Sequence, residues 1–220
     1  MCLALVVGMA QATSVAATTA APTATRTSPA AGAPVQRTLL VVGDSLSAEY
    51  GLARGSGWVA LLEQRLLAEK LSAQVVNASI SGDTTSGGRS RLPSLLEQHK
   101  PSHVVIELGG NDALRGLPLE MSRQNLTAMA SAAKAAGAKV LLVGMRVPPN
   151  YGMRYGSDFA SMFVQVARAE DTALVPFLLT GVADSPQAAS LFQPDRIHPT
   201  AAAHPAMLDN VWPVMKGWLR

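Results

Sequence analysis

The sequence predicts an α/β protein with a five-stranded parallel sheet that is covered by helices on both faces. From residue 38 onward, short apolar runs of strand length alternate with longer segments that have helical periodicity. Strands that alternate with helices in this way form parallel sheets. The chain has 220 residues, of which 48% are hydrophobic, and this is enough for one domain with a sizeable core.

Each predicted strand is a short apolar run, as expected for a strand that is buried on both faces. The five runs are TLLVVGDS (38–45), AQVVNASI (73–80), SHVVIELGGND (102–112), AKVLLVGMRV (138–147) and ALVPF (173–177). The predicted helices lie between and after them. In the first helix, Val59, Leu62 and Leu66 recur at helical spacing, and Gly137 is a stop signal after the third. The helices span 57–71, 90–99, 118–136, 157–169 and a last segment after Pro199.

The first 36 residues differ in composition from the rest of the chain. The apolar run Leu3–Ala12 ends in Ala-Gln-Ala, which fits a signal-peptidase site, and it is shorter than the about 20 apolar residues that span a bilayer. We therefore predict a signal peptide at 1–12, although an unprocessed leader is the alternative. Residues 13–36 are rich in Ala, Thr and Pro and predict a linker. The folded domain is predicted at 37–220, in a periplasmic or secreted protein without stable membrane insertion.

Charge and cysteine content exclude several functions. The net charge is only +3 and the Lys and Arg residues are scattered, so a nucleic-acid partner is not expected. The single cysteine, Cys2, lies before the folded body, which excludes a cysteine nucleophile or a cysteine zinc site there. The four histidines lack the HExxH spacing of zinc hydrolases, so no metal site is expected.

Polar loops follow the predicted strands. Ligands bind outside the carboxyl ends of the strands in open parallel sheets, so chemistry is expected in these loops. They read GDSLS (43–47), SGDTT (81–85), GGNDA (109–113) and RVPPNYG (146–152).

Ser45, Asp195 and His198 have the residue types of a catalytic triad. A serine at a strand-to-helix turn becomes a nucleophile when a histidine removes its proton, and a carboxylate fixes the tautomer of that histidine. Taken alone, Ser45 fits a helix N-cap equally well, and DRIHPT fits a surface turn. The G-x-S-x-G elbow of ordinary α/β-hydrolases is absent. Asn111 and Gly82 have groups that can donate to an oxyanion, or they serve tight loops.

Four blocks occur in the order VVGDSLSAEYG, VVNASISGDT, VIELGGND and DRIHP. Together they resemble the GDSL or SGNH hydrolase family. Within this family the resemblance is closest to the bacterial acyl-CoA thioesterase I, lysophospholipase and arylesterase branch. The segments RLPSLLEQHKP and NYGMRY also resemble that branch. The resemblance extends from about Thr38 to the C-terminus. It implies a three-layer α/β/α sandwich of the flavodoxin-like kind.

The resemblance also implies the chemistry. Ser45 is the expected nucleophile, His198 the general base and then acid, and Asp195 the residue that orients it. The oxyanion hole is expected from the backbone N–H groups of Ser45 and Gly82 and the side-chain amide of Asn111. The expected activity is hydrolysis of acyl esters and thioesters through an acyl-enzyme, without cofactor and by a monomer.

Two other functions stay open at this point. One is a carbohydrate acetylesterase on the same scaffold, and the other is a non-catalytic lipid-binding domain, which ranks last because all five motif residues are present. An apolar cleft would suit an acyl chain, although the same residues would also suit packing at the end of the sheet. The candidate substrate-binding residues are Leu46, Leu114, Met145, Val147 and Pro148.

Glu49 departs from the resemblance, because the branch usually has glycine in this position of GDSLSAGYG. If the position requires a positive φ, glutamate strains the turn. If the side chain lies at the rim of the cleft, its carboxylate disfavours anionic substrates.

Overall fold

Five parallel strands form one sheet in the order β2-β1-β3-β4-β5, which is the order of flavodoxin-like folds. The computed structural model describes residues 37–219, so the signal peptide and linker predicted at 1–36 lie outside the described residues. The predicted five-stranded parallel sheet is confirmed. The strands are β1 (Arg37–Gly43), β2 (Ala73–Asn77), β3 (His103–Glu107), β4 (Lys139–Val143) and β5 (Ala173–Val175).

Helices cover both faces of the sheet and give the predicted three layers. Helix α1 packs against α7, whereas α2, α4 and α5 pack in a row. Within residues 37–219, no helix is long and apolar enough to cross a membrane. The helices are α1 (Trp58–Ala68), α2 (Thr85–His99), α3 (Gly110–Leu114), α4 (Leu119–Ala135), α5 (Met153–Ala169), α6 (Ala188–Leu191) and α7 (His204–Trp218).

The core lies on the two faces of the central strands. Leu39 to Val42 in β1 and Val104 to Ile106 in β3 are almost completely buried, which explains why these strands are continuous apolar runs. The edge strand β2 is only partly buried. The carboxyl ends of β1, β2 and β3 therefore present their loops at one edge of a rigid sheet.

Helix α2 begins at Thr85, five residues before the predicted start at Ser90. Two glycines weaken helix propensity, which made the earlier start hard to predict. Tertiary packing explains one of them, because a Cβ at Gly88 would lie 2.3 Å from Leu108 Cδ1. The side chain of Thr84 caps the helix by accepting from the N–H of Gly87 at 3.2 Å. This start places the loop with Gly82 directly before a helix N-terminus.

Two further elements differ from the prediction. Helix α5 begins at Met153, four residues before the predicted Ser157, and GGNDA contains the one-turn helix α3 rather than an open loop. Gly109 has φ 124°, so a glycine allows the sharp change of direction from β3 into α3. Asn111 is thereby held on a helical turn.

Candidate active site

Ser45 lies two residues after the end of β1, on a tight turn. Its hydroxyl Oγ is 2.9 Å from Nε2 of His198, across 153 positions of sequence. The other ring nitrogen, Nδ1, is 2.7 Å from Oδ2 of Asp195. The structure therefore brings the three predicted residues into one hydrogen-bonded line.

The motif DRIHPT forms a turn that is organised by its own aspartate. Oδ1 of Asp195 accepts from the backbone N–H groups of Ile197 at 2.9 Å and His198 at 3.0 Å, while Oδ2 faces the imidazole. The hydrogen bond to the His198 side chain, followed by these two backbone bonds, lowers the pKa of Asp195 to about 2. The spacing of three residues lets one carboxylate fix both the loop and the ring.

Gly82 and Asn111 line the same cleft as Ser45 and His198. Gly82 has φ 80°, a conformation that favours glycine. One N–H of the Asn111 amide donates to Oδ2 of Asp44 at 3.0 Å, which leaves its second N–H for another acceptor. The structure thus places each predicted oxyanion-hole residue around one cavity with the Ser45 hydroxyl.

The cleft has a volume of about 870 Å³ and a mostly apolar lining. All five candidate substrate-binding residues line it. The sequence analysis missed five aromatic side chains of the same lining. Three of them lie outside the quoted motifs, and the other two stand inside motifs in which no lining role was assigned to them. The predicted lining residues are Leu46, Leu114, Met145, Val147 and Pro148, and the missed aromatic ones are Tyr50, Tyr151, Phe159, Phe177 and Phe192.

Tyr50 is the missed residue that lies nearest to the reactive groups. Its ring centroid is 4.3 Å from that of His198, and the two rings are tilted by 37°. Its backbone carbonyl accepts from the side-chain amide of Gln193, in the loop that carries Asp195. Tyr50 therefore connects the serine turn to the histidine loop.

Two buried carboxyl groups lie behind Ser45. Burial raises the pKa of Asp44 to about 6, although the N–H of Leu46 and the amide of Asn111 lower it in part. Glu107 is fully buried, and burial together with the neighbouring Asp44 charge raises its pKa well above the usual range. We assign the charge to Asp44, which accepts two N–H groups, and the proton to Glu107. Sequence reasoning had treated Glu107 only as part of a buried strand.

Glu107 is held by a short chain of hydrogen bonds. Its Oε2 accepts from Oγ of Ser47 at 2.7 Å, and that hydroxyl accepts from Nε1 of Trp58 at 3.1 Å. Each of these residues is buried. The chain of hydrogen bonds connects β3, the serine turn and α1 beneath Ser45.

A second buried network joins the loops that carry Gly82 and Asn111. Asp112 accepts from the backbone N–H of Thr85 at 2.8 Å and from the hydroxyls of Thr85 and Ser122. These bonds fasten the N-terminus of α2 to α3 and α4. Because Asp112 follows Asn111 directly, they also fix the relative positions of the two loops.

Glu49 has φ 59°, so its backbone is in the left-handed region. This is the first of the two conditions that the sequence analysis considered for this position. Its carboxylate accepts from the N–H groups of Gly55 at 3.0 Å and Gly57 at 2.7 Å. It does not belong to the cleft lining. The carboxylate is thus engaged at the N-terminus of α1, which compensates the backbone strain instead of repelling ligands.

The N-terminus of α1 has a second acceptor in His204. Its Nδ1 accepts from the N–H of Trp58 at 2.9 Å, which requires a neutral ring with the proton on Nε2. Burial lowers the pKa of His204 to about 4, and only the charge of Glu49 opposes this shift. Helix α7, which follows the DRIHPT turn, is in this way attached to α1.

Among the described residues, no cluster of three or more His, Cys, Asp or Glu side chains has the arrangement of a metal site. The hydroxyl of Ser45, an imidazole and a carboxylate instead form a line at the carboxyl end of a flavodoxin-like sheet. These features define the class of α/β serine hydrolases, in a form without the strand-to-helix elbow of the ordinary α/β-hydrolase fold.

Comparison with known proteins gives the family. The model of the GDSL-like lipase/acylhydrolase family matches residues 41–206, and the chain belongs to this family. It is 56% identical over 180 residues to esterase TesA of Pseudomonas aeruginosa, covering 82% of this chain and 88% of that protein. It is 44% identical over 172 residues to thioesterase 1/protease 1/lysophospholipase L1 of Escherichia coli K12, covering 78% of this chain and 80% of that protein.

A solved structure gives the same assignment. The psychrotrophic esterase EstA from Pseudoalteromonas sp., inhibited by monoethylphosphonate, matches with a TM-score of 0.78 and 42% identity, covering 83% of this chain and 98% of EstA. The expected family, fold and enzyme class are therefore confirmed. The chain is an ester hydrolase of the serine type.

Proposed function

We propose that the protein hydrolyses acyl esters and thioesters through a covalent acyl-Ser45 intermediate. The observation that carries this proposal is the line from Ser45 Oγ to His198 Nε2 and from His198 Nδ1 to Asp195, which opens into an apolar cleft. Such a line moves one proton from the nucleophile and returns it to a leaving group.

In the first half-reaction, Oγ of Ser45 attacks the substrate carbonyl while its proton passes to Nε2 of His198. The tetrahedral oxyanion accepts from the N–H groups of Ser45 and Gly82 and from the free N–H of Asn111. The C–O or C–S bond then breaks, and His198 gives its proton to the alcohol or thiol. In the second half-reaction His198 takes a proton from water, and the hydroxide attacks the acyl-enzyme. The bond between the acyl carbon and Oγ then breaks, His198 returns its proton to Oγ of Ser45, and the acid leaves.

The cleft supports an acyl chain as the group that is bound. Its walls are aliphatic and aromatic side chains, and its volume of about 870 Å³ far exceeds what an acetyl group requires. The similarity to an esterase and to a thioesterase/lysophospholipase supports oxygen and sulfur esters as substrates. A carbohydrate acetylesterase would be expected to line its cleft with more polar side chains, so it remains the second candidate.

A series of p-nitrophenyl esters from acetate to palmitate tests this proposal. Ser45→Ala is expected to lower kcat by about 10⁴-fold or more, because the nucleophile is lost while the fold is kept. The maximum is expected beyond the acetate ester, because a longer chain buries more of its surface in the cleft. A maximum at acetate, with cleavage of acetylated sugars, would instead support the acetylesterase.

The location and the assembly of the protein are part of the proposal. The apolar run and the small-x-small site in residues 3–12 support export to the periplasm or the medium. The cleft and its Ser45–His198–Asp195 line are formed by one chain, which supports a monomer. Cell fractionation with an N-terminal sequence of the mature protein tests the first point. Light scattering tests the second.

A further inference from the structure

Large apolar side chains that are strongly exposed are concentrated at one end of the molecule. Residues 37–219 contain six of them, and only Leu67 lies at the C-terminal end of α1, away from the cleft. The other five either line the cleft or lie within two residues of a lining residue in the chain, and we call them the apolar rim. They are Tyr50, Ile80, Leu114, Met153 and Ile197.

The apolar rim surrounds the opening and reaches beyond it. Tyr50, Leu114 and Ile197 line the cleft itself. Ile80 directly precedes the cleft-lining residue Ser81 and is 53% exposed, and Met153, at the start of α5, is 94% exposed. Ile80 and Met153 do not line the cleft, so binding of a single substrate molecule does not account for their exposure. A cluster of exposed apolar side chains indicates an interaction surface.

Arginines accompany the apolar rim. Arg146 and Arg196 line the cleft, and Arg115 donates to the carbonyl of Gly82. In the part of the chain that the structure describes, none of these three forms an ion pair. The Arg154 side chain, next to Met153, is 97% exposed and lies 3.9 Å from Asp158. The rim therefore presents several cations that have no strong partner.

The acids at the same end are mostly engaged. Asp83 is paired with Arg91, and Asp44 is buried. The exposed acids are Asp158, Asp184 and Asp195, against the four arginines named above. Exposed positive charge thus exceeds exposed negative charge around the opening by a small margin, and this favours an anionic partner.

We propose that the apolar rim docks the protein on the surface of an anionic lipid bilayer. Apolar side chains that enter the interfacial region and arginines that contact lipid phosphates bind cooperatively to such a surface. In this orientation the cleft opens toward the acyl chains. Docking rests on the proposed function and extends it, because it brings lipid esters to Ser45. Binding to the bilayer can nevertheless be measured with lipids that contain no ester bond, and thus separately from hydrolysis.

Vesicles of diether phospholipids provide that measurement, because they contain no bond for the enzyme to cleave. We expect the full chain to cosediment with vesicles of diether phosphatidylcholine and phosphatidylglycerol, and much less with diether phosphatidylcholine alone. Raising the NaCl concentration should weaken binding, because salt screens the arginines. The double substitution Ile80→Asp/Met153→Asp is expected to weaken binding by about tenfold or more.

Leu67→Asp is the matched control, because Leu67 is 81% exposed but lies away from the rim. It should bind vesicles like the unchanged protein. Both variants keep the N-terminal apolar run, so a difference in binding between them cannot come from that run. Both variants should hydrolyse soluble p-nitrophenyl butyrate at the unchanged rate, which shows that they fold. Loss of vesicle binding with this rate retained supports docking.

Three results would overturn the proposal. One is the absence of binding to anionic vesicles by an active protein, which leaves the esterase function untouched. Another is equal binding by the double variant, which would mean that charge alone attracts the protein. The third is a dimer that the double variant abolishes, in a protein without vesicle binding, which would assign the rim to a second copy of the chain.

Discussion

Two sets of carboxyl groups support Ser45 from different sides, and their surroundings differ. Asp195 lies on a partly exposed turn, where hydrogen bonds from His198 and the backbone lower its pKa to about 2. Asp44 and Glu107 lie behind the nucleophile, where burial raises both pKa values. The comparison shows that carboxyl groups supply one charge beside His198 and, behind the serine, a buried pair in which Asp44 holds the charge and Glu107 the proton.

The same contrast separates two histidines. His198 faces the cleft with one nitrogen on the serine and the other on a carboxylate. His204 is buried and uses Nδ1 as an acceptor for the N-terminus of α1. The groups in front of Ser45 are arranged for proton transfer, whereas those behind it are arranged for stability, so substitutions should separate activity from folding.

The largest effect is expected for Asp195→Asn. The amide oxygen takes over the two backbone N–H groups that Oδ1 now accepts, so the NH2 group faces Nδ1 and donates to it. His198 then takes the wrong tautomer, and kcat should fall by about 10³- to 10⁴-fold. The thermal unfolding midpoint should change little, because the side chain is on a partly exposed turn. Steady-state kinetics on p-nitrophenyl butyrate measure the loss. A decrease of less than about tenfold in a folded variant would show that Asp195 is not needed to orient the base.

His204 should make the protein sensitive to acid. Its folded pKa of about 4 lies below the usual 6.5, so the unfolded chain binds a proton first as the pH falls. The stability is fully present above pH 6.5 and is lost between about pH 6.5 and 4, by about 2.5 kcal/mol at pH 4.5. Urea unfolding at pH 7.5 and 4.5 measures this loss. His204→Gln should remove that part of it, and equal losses in both proteins would contradict the assignment.

Glu107→Gln tests the protonated acid behind the nucleophile. Because the folded pKa of Glu107 is raised, the native state keeps a proton that the unfolded chain releases, and the contribution of Glu107 to wild-type stability should fall as pH rises above about 4.5. The variant lacks this titration, so its free energy of unfolding should increase relative to that of the wild type between pH 5 and 8. Activity should stay within about threefold, since Asp44 still holds Asn111. If the variant instead loses stability relative to the wild type as the pH rises from 5 to 8, the charge lies on Glu107.

A smaller loss of activity than for Asp195→Asn is expected for Tyr50→Ala. Its ring packs on the imidazole at 4.3 Å and favours the imidazolium that forms during acyl transfer. We expect kcat to fall by about tenfold. Tyr50→Phe keeps the ring and should retain the wild-type kcat. If the phenylalanine variant loses as much as the alanine variant, the hydroxyl is the important group and the stacking argument is wrong.

Local patterns were enough to predict the strands and the residues of the four blocks. The central strands are continuous apolar runs because they are buried on both faces. Ser45, Gly82 and Asn111 stand in short motifs after strands, whereas Asp195 and His198 stand in a motif shortly before the last helix. The helix starts were less predictable. Thr85 begins α2 ahead of two glycines because Gly88 packs against Leu108, and this contact is not visible in the local sequence.

The sequence by itself determined the alternation of elements, and hence the parallel sheet, and the order of the blocks that identify the family. Only the tertiary structure decided which residues surround Ser45. Asp44 receives the amide of Asn111 across 67 positions, Ser47 reaches Glu107 across 60, and His198 reaches Ser45 across 153. Periodicity and motifs report local conformation, whereas burial, pKa and the partners of a polar group depend on which distant segments the sheet brings together.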